Sequence, residues 1–231
     1  MILKKQNELL YNWQQEEIKM LNGIECLGHS SIRIRKNGKT IYIDPFKIKE
    51  NRNDADYIFI THNHYDHFSE EDIRKIKNED TIIVATEDLY TNILKLGFYA
   101  INVYVVKPNN DYKIEGLKFS TVPAYNTDKQ FHPKENEWVG YIIELNNNKY
   151  YIAGDTDITE ENMKVKCDVA FVPVGGTYTM DFKEAARLIN EIQPKIAVPI
   201  HYGSIVGSKQ DALDFKKLLR PIIICEIMIK E

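Results

Sequence analysis

Between positions 61 and 67 the chain reads Thr61-His62-Asn63-His64-Tyr65-Asp66-His67. Three imidazoles and a carboxylate packed this closely suit a borderline or hard divalent cation: zinc, iron or manganese. His62 and His64 are two positions apart, so in extended chain they point to the same side. Asp66 and His67 follow a little further on and can face a second ion. One histidine here would read as a surface or capping residue, but packing gives no reason for three behind a single apolar run. Other candidate ligands also stand where apolar runs end. Residues 150–153 lead into Gly154-Asp155-Thr156-Asp157, residues 196–200 into His201, and residues 41–43 into Asp44-Pro45. In α/β proteins, ligand sites gather beyond the carboxyl ends of the strands.

These runs must be strands for the residues to meet. Residues 57–60, 81–85, 150–153, 169–172 and 196–200 are continuously apolar and rich in β-branched side chains, as expected of strands covered on both faces. The stretch from about 24 to 44 carries a hairpin: 31–35 alternates, Asn37-Gly38 turns, and 40–43 returns. Further strands are expected over 101–106, 117–122 and 139–145. Helices are expected over 69–78, 86–95, 181–192 and 210–219. Ser69 ahead of Asp72, and Asp181 ahead of Glu184, mark helix N-termini. Phe182, Ala185, Ala186, Ile189 and Ile192 then share one helical face. A short leading helix is expected over 7–20, with Leu9, Leu10, Trp13, Ile18 and Leu21 near its apolar stripe. Two strand-rich halves with helices outside make a layered α/β sandwich. With no repeat, low-complexity tract or Pro/Gly-rich linker, residues 1–231 read as one domain.

The 231-residue composition, 43% hydrophobic and 28% charged, is that of a soluble globular protein. A formal net charge of −4 argues against a basic nucleic-acid groove and for a small-molecule substrate. No apolar run approaches the roughly 20 residues of a membrane span, and no apolar segment follows the first residues as a secretory leader requires. Cys26, Cys167 and Cys225 are widely spaced with no C-x-x-C pair, which fits reduced thiols in a cytoplasmic protein. Oligomeric state is left open, a homo-oligomer included.

The motif T-H-N-H-Y-D-H resembles the metal-binding signature of the metallo-β-lactamase superfamily. Gly154-Asp155-Thr156-Asp157 and the His201 of Pro199-Ile200-His201-Tyr202-Gly203 follow in that family's order. Gly28-His29-Ser30-Ser31, Ile43-Asp44-Pro45 and Val174-Gly175-Gly176 are similar to a branch that includes L-ascorbate-6-phosphate lactonase and N-acyl-phosphatidylethanolamine phospholipase D. The resemblance covers residues 24 to 205. It implies a four-layer αββα sandwich and a metal-dependent hydrolase with one or two divalent ions, zinc first, manganese or iron as alternatives. It implies that His62 and His64 bind one metal, that Asp66, His67 and His201 bind the other, and that Asp155 bridges them. A metal-bound hydroxide would cleave a small-molecule ester, lactone, amide or phosphodiester, with Asp66 also orienting it. Asp44 and His29 would fix the ligand histidines in place. Nuclease action on nucleic acid, or metal binding without catalysis, are the alternatives.

The chain departs from the family at one point. Where a further histidine usually completes the first metal's ligands, the sequence reads Val122-Pro123-Ala124-Tyr125-Asn126. Asn126 itself can bind, more weakly than an imidazole. His132, in Phe131-His132-Pro133, can reach in from the loop. Or the first site stays incomplete. Residues 125–137 could form a lid, in which case His132 would hold substrate, or would be an exposed loop residue. Gly175-Gly176 ahead of the helix at 181 allows either an anion site on free amides or a tight turn that needs glycine. Tyr178 and Tyr202 could line a pocket. Trp13 and Trp138 read as packing residues.

Overall fold

The computed structural model describes residues 13–229. Two sheets stack face to face. The first has the order β1 (Ile24–Gly28), β2 (Ser31–Lys36), β3 (Lys39–Ile43), β4 (Tyr57–Phe59), β5 (Ile82–Thr86) and β6 (Val103–Val106). Strands β1 to β3 are antiparallel, and β3 to β6 run parallel. The second sheet runs in reverse order from β13 (Ile224–Cys225) through β12 (Ile196–Ile200), β11 (Val169–Pro173), β10 (Asn148–Ile152), β9 (Val139–Leu145) and β8 (Leu117–Pro123) to β7 (Asp111–Ile114). Here β7 to β10 are antiparallel and β10 to β13 parallel.

Three apolar clusters define the layers. Ile32, Ile41 and Phe59 of the first sheet meet Phe119, Tyr141, Phe171 and Val198 of the second in the central core. Outside the first sheet, Tyr42, Ile58 and Ile83 are covered by Ile73 and Ile76 of α1 (Glu70–Ile76) and Ile93 of α2 (Tyr90–Lys95). Outside the second, Tyr151, Ala170 and Ala197 are covered by Ala185 and Ile189 of α3 (Phe182–Ile192) and Phe215 of α4 (Lys209–Leu218). This is the αββα sandwich, and it explains the sequence pattern: β4, β5, β11 and β12 are buried throughout because each has apolar layers on both faces.

The helix starts follow their sequence signals. Ser69 caps α1 through Asp72 N, and Asp181 forms a capping box with Glu184 at α3. The expected helix over 86–95 is shorter, because Glu87–Leu89 forms a 3-10 turn before α2. There Asp88 accepts hydrogen bonds from Thr86, Asn63 and Trp138. The strand expected from 101 starts only at Val103, after a 3-10 turn at Ala100–Asn102. β7 and β13 were not anticipated, since four residues and two give too little pattern to read. Of the leading helix expected over 7–20, residues 13–18 are helical, and Leu9 and Leu10 lie outside the described residues.

At the carboxyl ends of β1, β3 and β12 the chain turns sharply, and His29 (φ 51°), Asp44 (φ 46°) and His201 (φ 57°) all take left-handed backbone conformations. Such conformations cost of order 1–3 kcal/mol and concentrate at functional sites. Past β10 the same turn uses Gly154 (φ 66°), where a Cβ would sit 3.2 Å from the Thr61 side chain. Glycine lets the Asp155 loop pass close to the end of β4.

Candidate metal centre

Thr61 and Asp44 organise the start of the histidine motif. Asp44 Oδ1 accepts from Thr61 N at 2.8 Å, and Asp44 Oδ2 accepts from Thr61 Oγ1 at 2.7 Å and from His67 Nδ1 at 2.7 Å. Since the Thr61 hydroxyl proton goes to Asp44, Thr61 Oγ1 accepts from His62 Nδ1, 2.9 Å away. Both imidazoles therefore present Nε2 to the interior. Sequence reasoning had not singled out Thr61, although its position directly before the motif was visible.

His132 is oriented in the same way. Its main-chain N–H (2.9 Å) and its Nδ1 (3.0 Å) both donate to Asn126 Oδ1, while Asn126 N donates to the His132 carbonyl at 2.8 Å. The Asn126 amide nitrogen donates to the Tyr178 carbonyl at 3.0 Å. With both ends of its amide engaged, Asn126 stands behind His132 and outside the ligand groups. His132 is buried, and its Nε2 faces Asp155 Oδ2 at 3.3 Å.

Asp155 lies at the centre. His201 Nε2 is 3.0 Å from Asp155 Oδ2, His62 Nε2 is 3.9 Å from the same oxygen, and His67 Nε2 is 3.4 Å from Oδ1. His62 Nε2 and His64 Nδ1 lie 3.1 Å apart. Asp66 Oδ2 accepts from His29 Nε2 at 3.0 Å and lies 3.5 Å from His67 Nε2 and 3.8 Å from His201 Nε2. Three sets of potential ligand atoms result, each mutually within 4.8 Å: His62, His64 and His132; His62, His67 and Asp155; and His29, Asp66, His67 and His201.

The charge balance of this cluster calls for a cation. Burial pushes the His62, His64 and His29 imidazoles down, so they are neutral at pH 7. Burial would also lower His67, but the Asp155 and Asp44 carboxylates lift it well above its usual range. Burial would raise Asp155 and Asp66, yet His201 and His67 hold Asp155 ionised, and His29 and His67 do the same for Asp66. Buried His67 Nε2, His132 Nε2 and Asp155 Oδ1 have no hydrogen-bond partner. With Nδ1 committed to Asn126, His132 turns its other ring nitrogen toward Asp155 Oδ2. Buried ring nitrogens and carboxylate oxygens left without partners at such short range suit a site that binds a cation. The donor set of imidazoles and carboxylates fits one or two divalent ions.

Trp138 forms a wall, with its ring 5.0 Å from both His62 and His64 and its Nε1 donating to Asp88. The loop carrying His132 is tied to the Asp155 turn. Asp157 accepts from Thr127 N at 2.8 Å and from Lys129 Nζ at 2.7 Å. Thr156 Oγ1 and Asp157 N both bond to the Tyr125 carbonyl. A cavity of about 230 Å³ opens onto the cluster. A larger hollow, about 510 Å³, lies beside β1 and is lined by Lys47, Lys49, Glu50 and Arg52, which form no such ligand set. At the start of α3, Asp181 accepts from Lys183 N and Glu184 N, so the amides are used internally. Gly175 abuts the His201 backbone, as a tight turn requires. Tyr178 lines the cavity, whereas Tyr202 is buried. No helix among the described residues is long and apolar enough to cross a membrane.

Comparison with known proteins gives a concordant result. The family profile described as "Beta-lactamase superfamily domain" matches residues 23–201. A UPF0173 metal-dependent hydrolase of Thermococcus onnurineus is 30% identical over 211 residues, 85% of this chain and 91% of the relative. One from Methanopyrus kandleri is 28% identical over 209 residues, 84% of this chain and 90% of the relative. Among solved structures, a provisionally assigned metal-dependent hydrolase of Parabacteroides distasonis aligns with a TM-score of 0.75 at 31% identity, covering 89% of this chain and 91% of that one. A metallo hydrolase of Ignicoccus hospitalis shares the fold at a TM-score of 0.73 and 24% identity, covering 89% and 94%.

Proposed function

The chain belongs to the metallo-β-lactamase superfamily and is a metal-dependent hydrolase, and from that premise we propose that it cleaves a small-molecule ester, lactone, amide or phosphodiester at a two-metal centre. The observation that supports this reading is the convergence of His62, His67, His132 and His201 on the single carboxylate of Asp155. His62, His64 and His132 would hold one ion, and Asp66, His67 and His201 the other, with Asp155 between them. When bound, divalent metals acidify coordinated water to a pKa of about 7 and polarise the bond under attack, zinc being the first candidate.

The remaining roles belong to the protein. Asp44 and Thr61 engage Nδ1 of His67 and His62, so that Nε2 of each ring would face a bound ion. Asn126 does the same for His132, so the amide acts as a positioning group instead of a ligand. Asp66, oriented by His29 and kept ionised, can accept a hydrogen bond from attacking water and set its direction. Trp138 and the loop at 125–133 limit water access on one side.

Elemental analysis of zinc-supplemented protein tests the assignment directly. Two ions per chain are expected, together with turnover on an ester and lactone panel that falls below about pH 6, where ligand imidazoles gain protons. Protein with no bound transition metal after supplementation would overturn it.

A further inference from the structure

The cavity above the ligand cluster has an apolar rim. Tyr65 is 66% exposed, Phe131 46% and Ile205 37%, and all three line this one cavity together with Tyr178. They come from separate stretches of chain. Tyr65 lies between His64 and Asp66 of the cluster, and its ring meets Phe46 edge-on at 6.1 Å. Phe131 stands beside His132 and packs edge-on against Tyr178 at 4.7 Å, and the Tyr178 carbonyl is held by Asn126. Large apolar side chains left exposed together around a concave site mark a binding surface.

The charges are equally informative. Among the described residues lining the cavity there is no lysine or arginine. The nearby cation, Lys47, donates to Ser204 Oγ at 2.7 Å and lies over the Phe46 ring. Recognition of a phosphate or a carboxylate tail ordinarily uses a guanidinium or ammonium aimed at it. The volume, about 230 Å³, falls below the 300–1,000 Å³ of sites that take drug-sized ligands. Any counter-charge for an anionic substrate would have to come from the metals alone, since no side-chain cation lines the cavity.

We propose that the site takes a small, uncharged carboxylic ester or lactone whose acyl side carries an aryl or short alkyl group, seated between Phe131, Tyr178, Tyr65 and Ile205. This rests on the metal-dependent hydrolase reading above and narrows its four candidate classes to acyl transfer. Hydrolysis adds water across the acyl C–O bond: the water oxygen joins the carbonyl carbon, and a proton goes to the departing alkoxide. No further reactant is needed.

Two measurements on zinc-loaded protein test it, one of them independent of turnover. Calorimetry compares benzohydroxamic with acetohydroxamic acid, which share a chelating group and differ in the apolar one. Burying the ring should tighten binding at least about tenfold, and Phe131→Ala or Ile205→Ser should remove most of that difference. Kinetics compare p-nitrophenyl butyrate with mono-p-nitrophenyl succinate, similar in length but anionic. The butyrate should be favoured at least about tenfold in kcat/KM. Equal hydroxamate affinities, or a preference for the succinate that disappears in Lys47→Ala, would overturn the proposal. If the aryl preference survives while no ester, lactone, amide or phosphodiester turns over, the apolar pocket stands, but the ester or lactone assignment falls together with the small-molecule reading it rests on.

Discussion

The two candidate ligand groups meet at Asp155 but are assembled from different materials. His67, Asp66 and His201 follow the ends of β4 and β12, and their props, Asp44 and His29, follow the ends of β3 and β1. His201, Asp44 and His29 each directly follow a strand, and Asp44 and His29 hold His67 and Asp66 in the turn beyond β4. The other group takes His62 from the end of β4 but completes itself with His132, from the loop between β8 and β9. That loop belongs to no strand ladder; it is held by Asn126 on His132, by Asp157 on Thr127 and Lys129, and by two isolated backbone bonds, Asn126 N to the His132 carbonyl and Asp157 N to the Tyr125 carbonyl. Such bonds are worth about 0.5–1.5 kcal/mol net, and about 1.5–3 kcal/mol where a charged group takes part. The first group inherits the stiffness of the sandwich, while the second depends on a few replaceable contacts. Metal affinity should differ accordingly, the strand-borne group holding its ion more tightly.

Removing His67 tests the strong side of that contrast and should have the largest effect. His67 faces Asp155, Asp66 and Asp44 at once. His67→Ala should lower metal content by about one ion and reduce turnover on the order of 10³-fold or more, well beyond the 10–100-fold expected for a supporting residue. Metal analysis beside steady-state kinetics reads both effects. Full metal content with retained turnover would remove His67 from the site and end the contrast.

The loop-borne group should respond in graded fashion. His132→Ala should release one ion more readily under chelator titration, leaving the other in place. Asn126→Ala keeps every ligand but frees the His132 ring, so affinity for that one ion should fall by about 10–100-fold. Asn126→Asp, which retains the acceptor oxygen, should recover most of the loss. If Asn126→Ala weakened both ions equally, the two groups would not be separately built.

The same contrast explains what was legible in the sequence. His62, His64, Asp66 and His67 share one short stretch, and Asp155 and His201 each end a buried apolar run, so local pattern alone pointed to them. Thus the αββα layers and the strand-borne candidate ligands could be read together. His132 was not separable from its alternatives, because its place depends on Asn126 and on Lys129 reaching Asp157, contacts that exist only after folding. The cavity rim was hidden for the same reason: Tyr65, Phe131, Tyr178 and Ile205 converge from separate segments. Thr61 lay in plain view, but its purpose appears only once Asp44 is beside it.

A smaller effect sharpens the comparison from the side of stability. Asp72 is buried on α1 and accepts from Lys47 N at 2.7 Å, Ile48 N at 2.9 Å, Ser69 Oγ at 2.7 Å and Lys75 Nζ at 2.9 Å. It thereby anchors the segment that follows Asp44. Burial would raise its carboxyl, but Ser69, Lys75 and the two backbone amides hold it below the ordinary value. A depressed carboxylate adds stability that is present above the unfolded value, near 3.9, and is lost as pH falls through the lower folded one. Asp72→Asn should therefore destabilise the protein by about 1–3 kcal/mol at pH 7, with the gap to wild type narrowing in urea melts below about pH 4. Metal content and turnover at 25 °C should stay near wild type, because the strand ladders, not this loop anchor, place His67 and His201. Loss of metal from the strand-borne group in Asp72→Asn would mean that its rigidity comes from the β3–β4 connection and not from the sheets.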